Sequence, residues 1–143
     1  MDDLISHARK VLEASYLNPI HTVCAVLETR DGQAVTALNS DHFSGFVCAE
    51  TAALSQAMSL GIHEFKRIVA VRKEPDSTTA IANPCGKCRQ ILHDYSPELI
   101  VIVNKGGEIV EMQIADLLPF AFQRQKEKIQ QALRGDSLEE IVG

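Results

Sequence analysis

Apolar positions near the start of the chain recur at helical spacing. Leu4, Ile5, Ala8, Val11 and Leu12 share one face behind Asp2 and Asp3, two acids that suit a helix N-terminus. That helix is expected to stop before Asn18-Pro19, because a residue preceding proline avoids the α region. Val23 to Leu27 reads as a buried strand, Arg30-Asp31-Gly32 as a turn, and Ala34 to Leu38 as the returning strand. The polar stretch Asn39 to Gly45 leads into Cys48-Ala49-Glu50. Ala52, Ala53, Gln56, Ala57 and Leu60 then mark a helix closed by Gly61.

The second half continues in the same alternation. A central strand lies in Arg67 to Arg72, a loop in Glu74 to Thr79, and a sharp break at Asn83-Pro84-Cys85-Gly86. Lys87 to Tyr95 reads as a helix, Leu99 to Val103 as a buried strand, and Glu108 to Gln113 as its partner across Gly106-Gly107. Ala115 to Val142 reads as helical and charged, interrupted at Pro119 and Gly135, with Pro119 expected to open a helix. From about Gln123 this tail suits a solvated or partner-facing helix. A hairpin followed by strands separated by helices predicts an α/β fold, a three-layer α-β-α sandwich around a mixed central sheet. With 143 residues, one domain spanning 1–143 is expected.

Composition narrows the function. Fourteen Lys+Arg stand against nineteen Asp+Glu, for a net charge of −5, and no basic cluster appears, which argues against a nucleic-acid partner. Aromatic residues make up only 5% and Trp is missing, so stacking of several bases along a strand is disfavoured. No apolar run approaches the roughly 20 residues of a membrane span. The first residues lack the basic and long apolar regions of a signal peptide, so a cytoplasmic location is expected. The reading that remains is a protein acting on a small molecule.

In a reducing compartment, closely spaced cysteines are metal ligands or catalytic thiols more often than bridges. Cys24 sits inside an apolar run and reads as a small buried hydrophobe. Cys48, Cys85 and Cys88 fall where loops become helices, and helix N-termini favour the thiolate. A Cys-x-x-Cys turn offers two sulfurs to a tetrahedral Zn2+, with Gly86 easing the backbone, and Cys48 offers a third. Three ligands with no obvious fourth describe an open, catalytic zinc, one per chain. Glu50 shares the first helical turn with Cys48 and can receive a proton from a water in that open position. Three thiolates leave the zinc centre anionic, and Arg89 is placed to donate to them from outside the ligand set.

Other readings of these residues stand beside this one. Cys85-Gly86-Lys87-Cys88 also fits a thioredoxin-like redox pair. A saturated structural zinc could recruit His93, although His93 suits a helix surface. An isolated Glu50 would be a capping or solvated carboxylate.

Cys48-Ala49-Glu50 followed by Pro84-Cys85-Gly86-Lys87-Cys88-Arg89-Gln90 resembles the cytidine deaminase family, zinc hydrolases with a [HC]-x-E and P-C-x-x-C signature. The resemblance runs from about Ala8 to Phe122 and includes Leu117-Leu118-Pro119 with Phe122. A cysteine rather than histidine at position 48 is similar to the free-nucleoside branch, and the Asn39 to Gly45 spacing looks closer to blasticidin S deaminases. The resemblance implies hydrolysis of a cytosine nucleoside (cytidine, deoxycytidine or a blasticidin S-like analogue) to the uracil form with release of ammonia. It implies attack at C4 of the ring, with Glu50 moving the protons. It also implies that Ala49 and the Asn83 carbonyl read the base edge, that Phe43 or Phe46 stacks on the ring, and that Asn39 and Asp41 meet the sugar. Asn39 and Asp41 could instead cap a turn. The family pattern has an acid longer than Asp41, an Arg where Thr51 stands, and often a Phe where His21 stands. Members of this size form homotetramers, so self-association as a tetramer, or as a dimer, is implied, with Phe120 and Phe122 available for contacts. A non-catalytic zinc-binding member and a polynucleotide deaminase are the alternatives.

Overall fold

The computed structural model describes residues 1–135, and the part of the expected charged helix beyond Gly135 lies outside them. Among the described residues no helix is long and apolar enough to cross a membrane. The chain begins with α1 (Asp2–Ser15), then β1 (Val23–Thr29), β2 (Ala34–Leu38) and α2 (Ala49–Ser59). It continues through β3 (Phe65–Lys73), β4 (Thr79–Ile81), α3 (Gly86–Tyr95), β5 (Ile100–Lys105) and β6 (Glu108–Gln113). A 3-10 turn over Ile114–Leu117 and α4 (Arg124–Leu133) close it.

The sheet is mixed, in the order β2-β1-β3-β5-β6. β1 is antiparallel to β2 and β3, β3 is parallel to β5, and β5 is antiparallel to β6. β4, three residues long, pairs with the last part of β3 through Val71–Ile81, on the edge that β5 takes lower down. The sequence pattern places the start of β4 in a loop. Three residues that include a threonine carry no readable alternation, and the pairing is supplied by β3.

Strand alternation divides the core into two layers. Ala25 and Leu27 of β1, Ile68 and Ala70 of β3, and Val101 and Val103 of β5 face the side covered by α2 and α3. Cys24 and Val26, Val69 and Val71, and Ile102 face α1, whose Leu4, Ile5, Ala8 and Leu12 close that layer. The period of two along each strand therefore sorts alternate residues to opposite helices. Ala49, Ala53 and Ala57 make α2 slim enough to lie close to the sheet, with Leu54 among them. Its end is closed by a Schellman pair. Gly61, at φ +79°, donates its N–H to the Met58 carbonyl at 3.0 Å, and Ile62 donates to the Ala57 carbonyl at 3.0 Å.

Two local expectations are corrected. Pro119 does not open a helix. Leu118 leaves the 3-10 turn at φ −142°, ψ 63°, Phe120 takes a left-handed φ of +54°, and helical structure resumes only at Arg124. His93 is not on a helix surface but is buried, 5% exposed.

Candidate metal centre and cleft

α2 and α3 lie side by side on one face of the sheet, and each begins at a cysteine. Cys48 is the N-cap of α2 (φ −71°, ψ 146°) and Cys85 the N-cap of α3 (φ −69°, ψ 168°). The first helical bond of each runs to the cap carbonyl: Ala52 N–H to Cys48 at 3.0 Å, Arg89 N–H to Cys85 at 2.9 Å. Cys88 sits one turn into α3, fully buried. The three sulfurs lie within 4.8 Å of one another, and those of Cys48 and Cys85 are 3.9 Å apart. This is the only His/Cys/Asp/Glu group of metal-holding geometry among the described residues, and His93 is not part of it.

Burial pushes the Cys48 thiol up from its ordinary value. The Cys88 thiol rises further, through burial and then the charge of nearby Glu50. Burial also acts to raise Cys85, but the amide N–H of Cys88, the neighbouring thiols and the Lys87 amide outweigh it, so this exposed sulfur ends below the ordinary value. Three convergent sulfurs at two helix N-termini match the soft donor set that Zn2+ takes, with a position left for a non-protein ligand. The structure brings together Cys48, Cys85 and Cys88 as a trio that fits one zinc per chain.

Glu50 occupies the second position of α2, two residues from the cap. It is 7% exposed, and burial pushes its carboxyl above the usual range. A small cleft of about 130 Å³ joins it to Cys48 and Cys85; its walls also include Asn39, Phe46, Ala49 and Asn83. A cavity of about 150 Å³ is known to admit one benzene ring, so this cleft is the size of a single six-membered ring. Larger hollows lie around Arg30 and His63, away from the sulfurs, and hold no comparable chemistry.

The remaining expected site residues are placed unevenly. Asn39 is 1% exposed and largely committed: its Oδ1 accepts from the N–H of Thr22 at 2.8 Å and of Val23 at 2.9 Å, while Nδ2 donates to Thr22 Oγ1 at 3.2 Å. It lines the cleft with one amide hydrogen uncommitted. His21 bonds through Nδ1 to the Asn39 carbonyl at 2.8 Å. Asp41 and Phe43 lie outside the cleft on the exposed loop before Cys48; Phe43 is 98% exposed and meets His42. Phe46, not Phe43, is the aromatic residue at the cleft wall.

Arg89 does not donate to the sulfurs. Its Nε gives a hydrogen bond to the Pro84 carbonyl at 2.7 Å and its guanidinium another to the Leu117 carbonyl at 3.2 Å, so it braces the loop that presents Cys85. Thr51 donates to the Cys48 carbonyl at 3.1 Å. Gly86 is not in a left-handed conformation, and a Cβ there would meet nothing within 4 Å, so backbone crowding does not demand a glycine. Val23 and Ala82 also line the cleft; Val23 reads as strand packing and nothing in the sequence marks Ala82.

Comparison with known proteins agrees with this geometry. Residues 1–104 match the family model for the cytidine and deoxycytidylate deaminase zinc-binding region. The chain is 32% identical over 128 residues to a blasticidin-S deaminase of Bacillus cereus, covering 85% of this chain and 91% of that one. It is 30% identical over 130 residues to a cytidine deaminase of Sporosarcina psychrophila, covering 87% and 93%. Among solved structures, a cytidine deaminase from Burkholderia pseudomallei superposes with a TM-score of 0.70 at 31% identity, over 85% of this chain and 98% of that one.

Proposed function

The chain belongs to the cytidine and deoxycytidylate deaminase zinc-binding family, and from that membership we propose that it hydrolyses the 4-amino group of a free cytosine nucleoside or nucleoside analogue. The observation that carries the reading is the position of Glu50: a buried carboxyl in the same ring-sized cleft as Cys48 and Cys85.

Cys48, Cys85 and Cys88 would hold the zinc. When bound, the ion would supply Lewis acidity that lowers the pKa of a water toward neutrality. Glu50 takes a proton from the attacking water and delivers it to ring N3; it then takes the second proton from the hydroxyl now on C4 and passes it to the departing amine, so that water and the aminopyrimidine become the oxo-pyrimidine and ammonia. One group acting as base and then acid works best with a pKa near the working pH, and burial moves Glu50 in that direction. The walls formed by Ala49 and Asn83 read the edge of the base, and Phe46 packs on its face. Asn39 offers its remaining amide hydrogen toward the sugar, and Asp41 extends from the adjoining loop.

The family resemblance extends the reading to self-association as a homotetramer, or as a dimer, for which the exposed Phe120 and Phe122 are available. Sedimentation that gives a fully active monomer would remove this part of the reading.

The test is an ammonia-release screen of the purified, zinc-loaded protein over cytidine, deoxycytidine and blasticidin S. Release from at least one, abolished by a chelator and restored by zinc, is the expected result. Stoichiometric zinc with no release from any of them would leave a non-catalytic zinc protein.

A further inference from the structure

We propose that Asn83 is a positioning residue: its side chain, locked to the main chain of Asn104, holds the cleft wall against which the cytosine ring is read. The proposal rests on the deaminase reading and adds a residue that acts through the loop.

The Asn83 side chain makes the bonds of a missing strand. Its Nδ2 donates to the Asn104 carbonyl at 2.9 Å, and its Oδ1 accepts from the Asn104 N–H at 2.8 Å. That exchange of one donor and one acceptor is what a neighbouring strand residue would provide. It falls where the sheet has a gap. β5 pairs with β3 only at Ile100 and Val101, and β4 pairs with β3 through Ile81, with one more bond from the Ala82 N–H to the Ala70 carbonyl at 2.9 Å before the chain leaves the sheet. The Asn83 amide is the link from the β4 exit to the far end of β5.

The anchor is itself fixed. Asn104 accepts the Gly107 N–H on its Oδ1 at 2.7 Å, within a turn where Gly106 and Gly107 take φ of +61° and +99°. One residue further along, the Pro84 carbonyl is held by Arg89 of α3 at 2.7 Å. The stretch from Asn83 to Cys85 is therefore gripped by the β5–β6 hairpin on one side and by α3 on the other. With its side chain so engaged, Asn83 lines the cleft and its main-chain N–H and carbonyl have no partner among the described residues. Those main-chain groups are what the loop offers a ring in the cleft, and the amide clamp sets where they sit. Asn83→Ala frees the wall without touching Glu50 or a sulfur. Asn83→Asp keeps the acceptor but turns a carboxylate oxygen toward the Asn104 carbonyl, breaking one arm.

The experiment measures KM, kcat and zinc content of the full chain, wild type against Asn83→Ala and Asn83→Asp, with the best substrate from the screen. The expected result is one zinc per chain in all three, a KM raised about tenfold in both variants, and a kcat within about threefold of wild type. An unchanged KM in a folded, zinc-loaded variant overturns the proposal, as does loss of zinc from both variants, which would make the clamp part of metal retention alone. If the wild type turns over none of the compounds, the deaminase reading fails separately. The clamp is then judged by amide hydrogen exchange over residues 82–85 of the zinc-loaded chain: faster exchange in the two variants supports a held loop, and equal rates overturn it.

Discussion

The sulfurs of Cys48 and Cys85 lie 3.9 Å apart although 37 residues separate them, because each caps one of two neighbouring helices. Two of the three thiols of this group, Cys48 and Cys88, are held above their ordinary value by burial, so in the metal-free chain they carry protons at neutral pH. Metal ligation requires thiolates, so zinc binding expels those protons and its apparent affinity rises with pH. Titration calorimetry in buffers of different ionisation enthalpy is expected to show net proton release near pH 7. Zinc binding with no proton release would mean the thiols are not the ligands.

Glu50→Gln is nearly isosteric and removes only the proton-carrying function. It is expected to keep the fold and one zinc per chain while lowering kcat by about 10²–10⁴-fold, the range for loss of a general acid–base group. Elemental analysis and steady-state kinetics on the same sample check this. Turnover near the wild-type rate would dismiss Glu50 as the proton carrier.

Arg89→Ala removes two hydrogen bonds, to the Pro84 and Leu117 carbonyls, and leaves the sulfurs untouched. The cost is expected to be roughly 1–3 kcal/mol of stability, since partly buried carbonyls lose charged donors. Denaturant unfolding of the metal-free variant measures it. An unchanged midpoint would show that the loop before Cys85 needs no brace from α3.

The pH dependence of stability is expected to carry a signature of Glu28. Arg67 donates to both its oxygens, at 2.9 and 3.1 Å, and also reaches Glu111 at 3.0 Å. The hydrogen bonds from Arg67 hold the Glu28 carboxyl below its usual range against the opposing effect of burial. A lowered carboxylate pKa stabilises above the unfolded value of about 4.3 and is lost as pH falls through the folded value. Glu28→Gln should therefore cost roughly 1.5 kcal/mol at pH 7, and the difference from wild type should vanish as the pH is taken below about 4. A difference that persists undiminished at pH 3 would assign the effect to packing.

Much of this architecture was legible because period-two and helical patterns alternate cleanly. β2 and β6 begin and end where the apolar alternation places them, at Ala34–Leu38 and Glu108–Gln113. The cysteines were legible as a group because metal chemistry constrains residue type and spacing more tightly than packing does. What escaped the sequence depends on tertiary partners. β4 exists through its pairing with β3, His93 is buried although it follows a polar helical pattern, and Arg89 finds carbonyls at Pro84 and Leu117 that no local pattern announces. Pro119 misled because its usual place at a helix start says nothing of the left-handed Phe120 that follows it.

The central claim is that one zinc is held by three sulfurs with a fourth position open beside Glu50. X-ray absorption at the zinc edge of the purified chain tests it most directly. The expected spectrum fits three sulfurs at about 2.3 Å and one oxygen or nitrogen scatterer at about 2.0 Å, with the light scatterer replaced when a cytosine-type inhibitor binds. A shell of four sulfurs, an imidazole signature from a protein histidine, or zinc held without Cys48, Cys85 and Cys88 would contradict it.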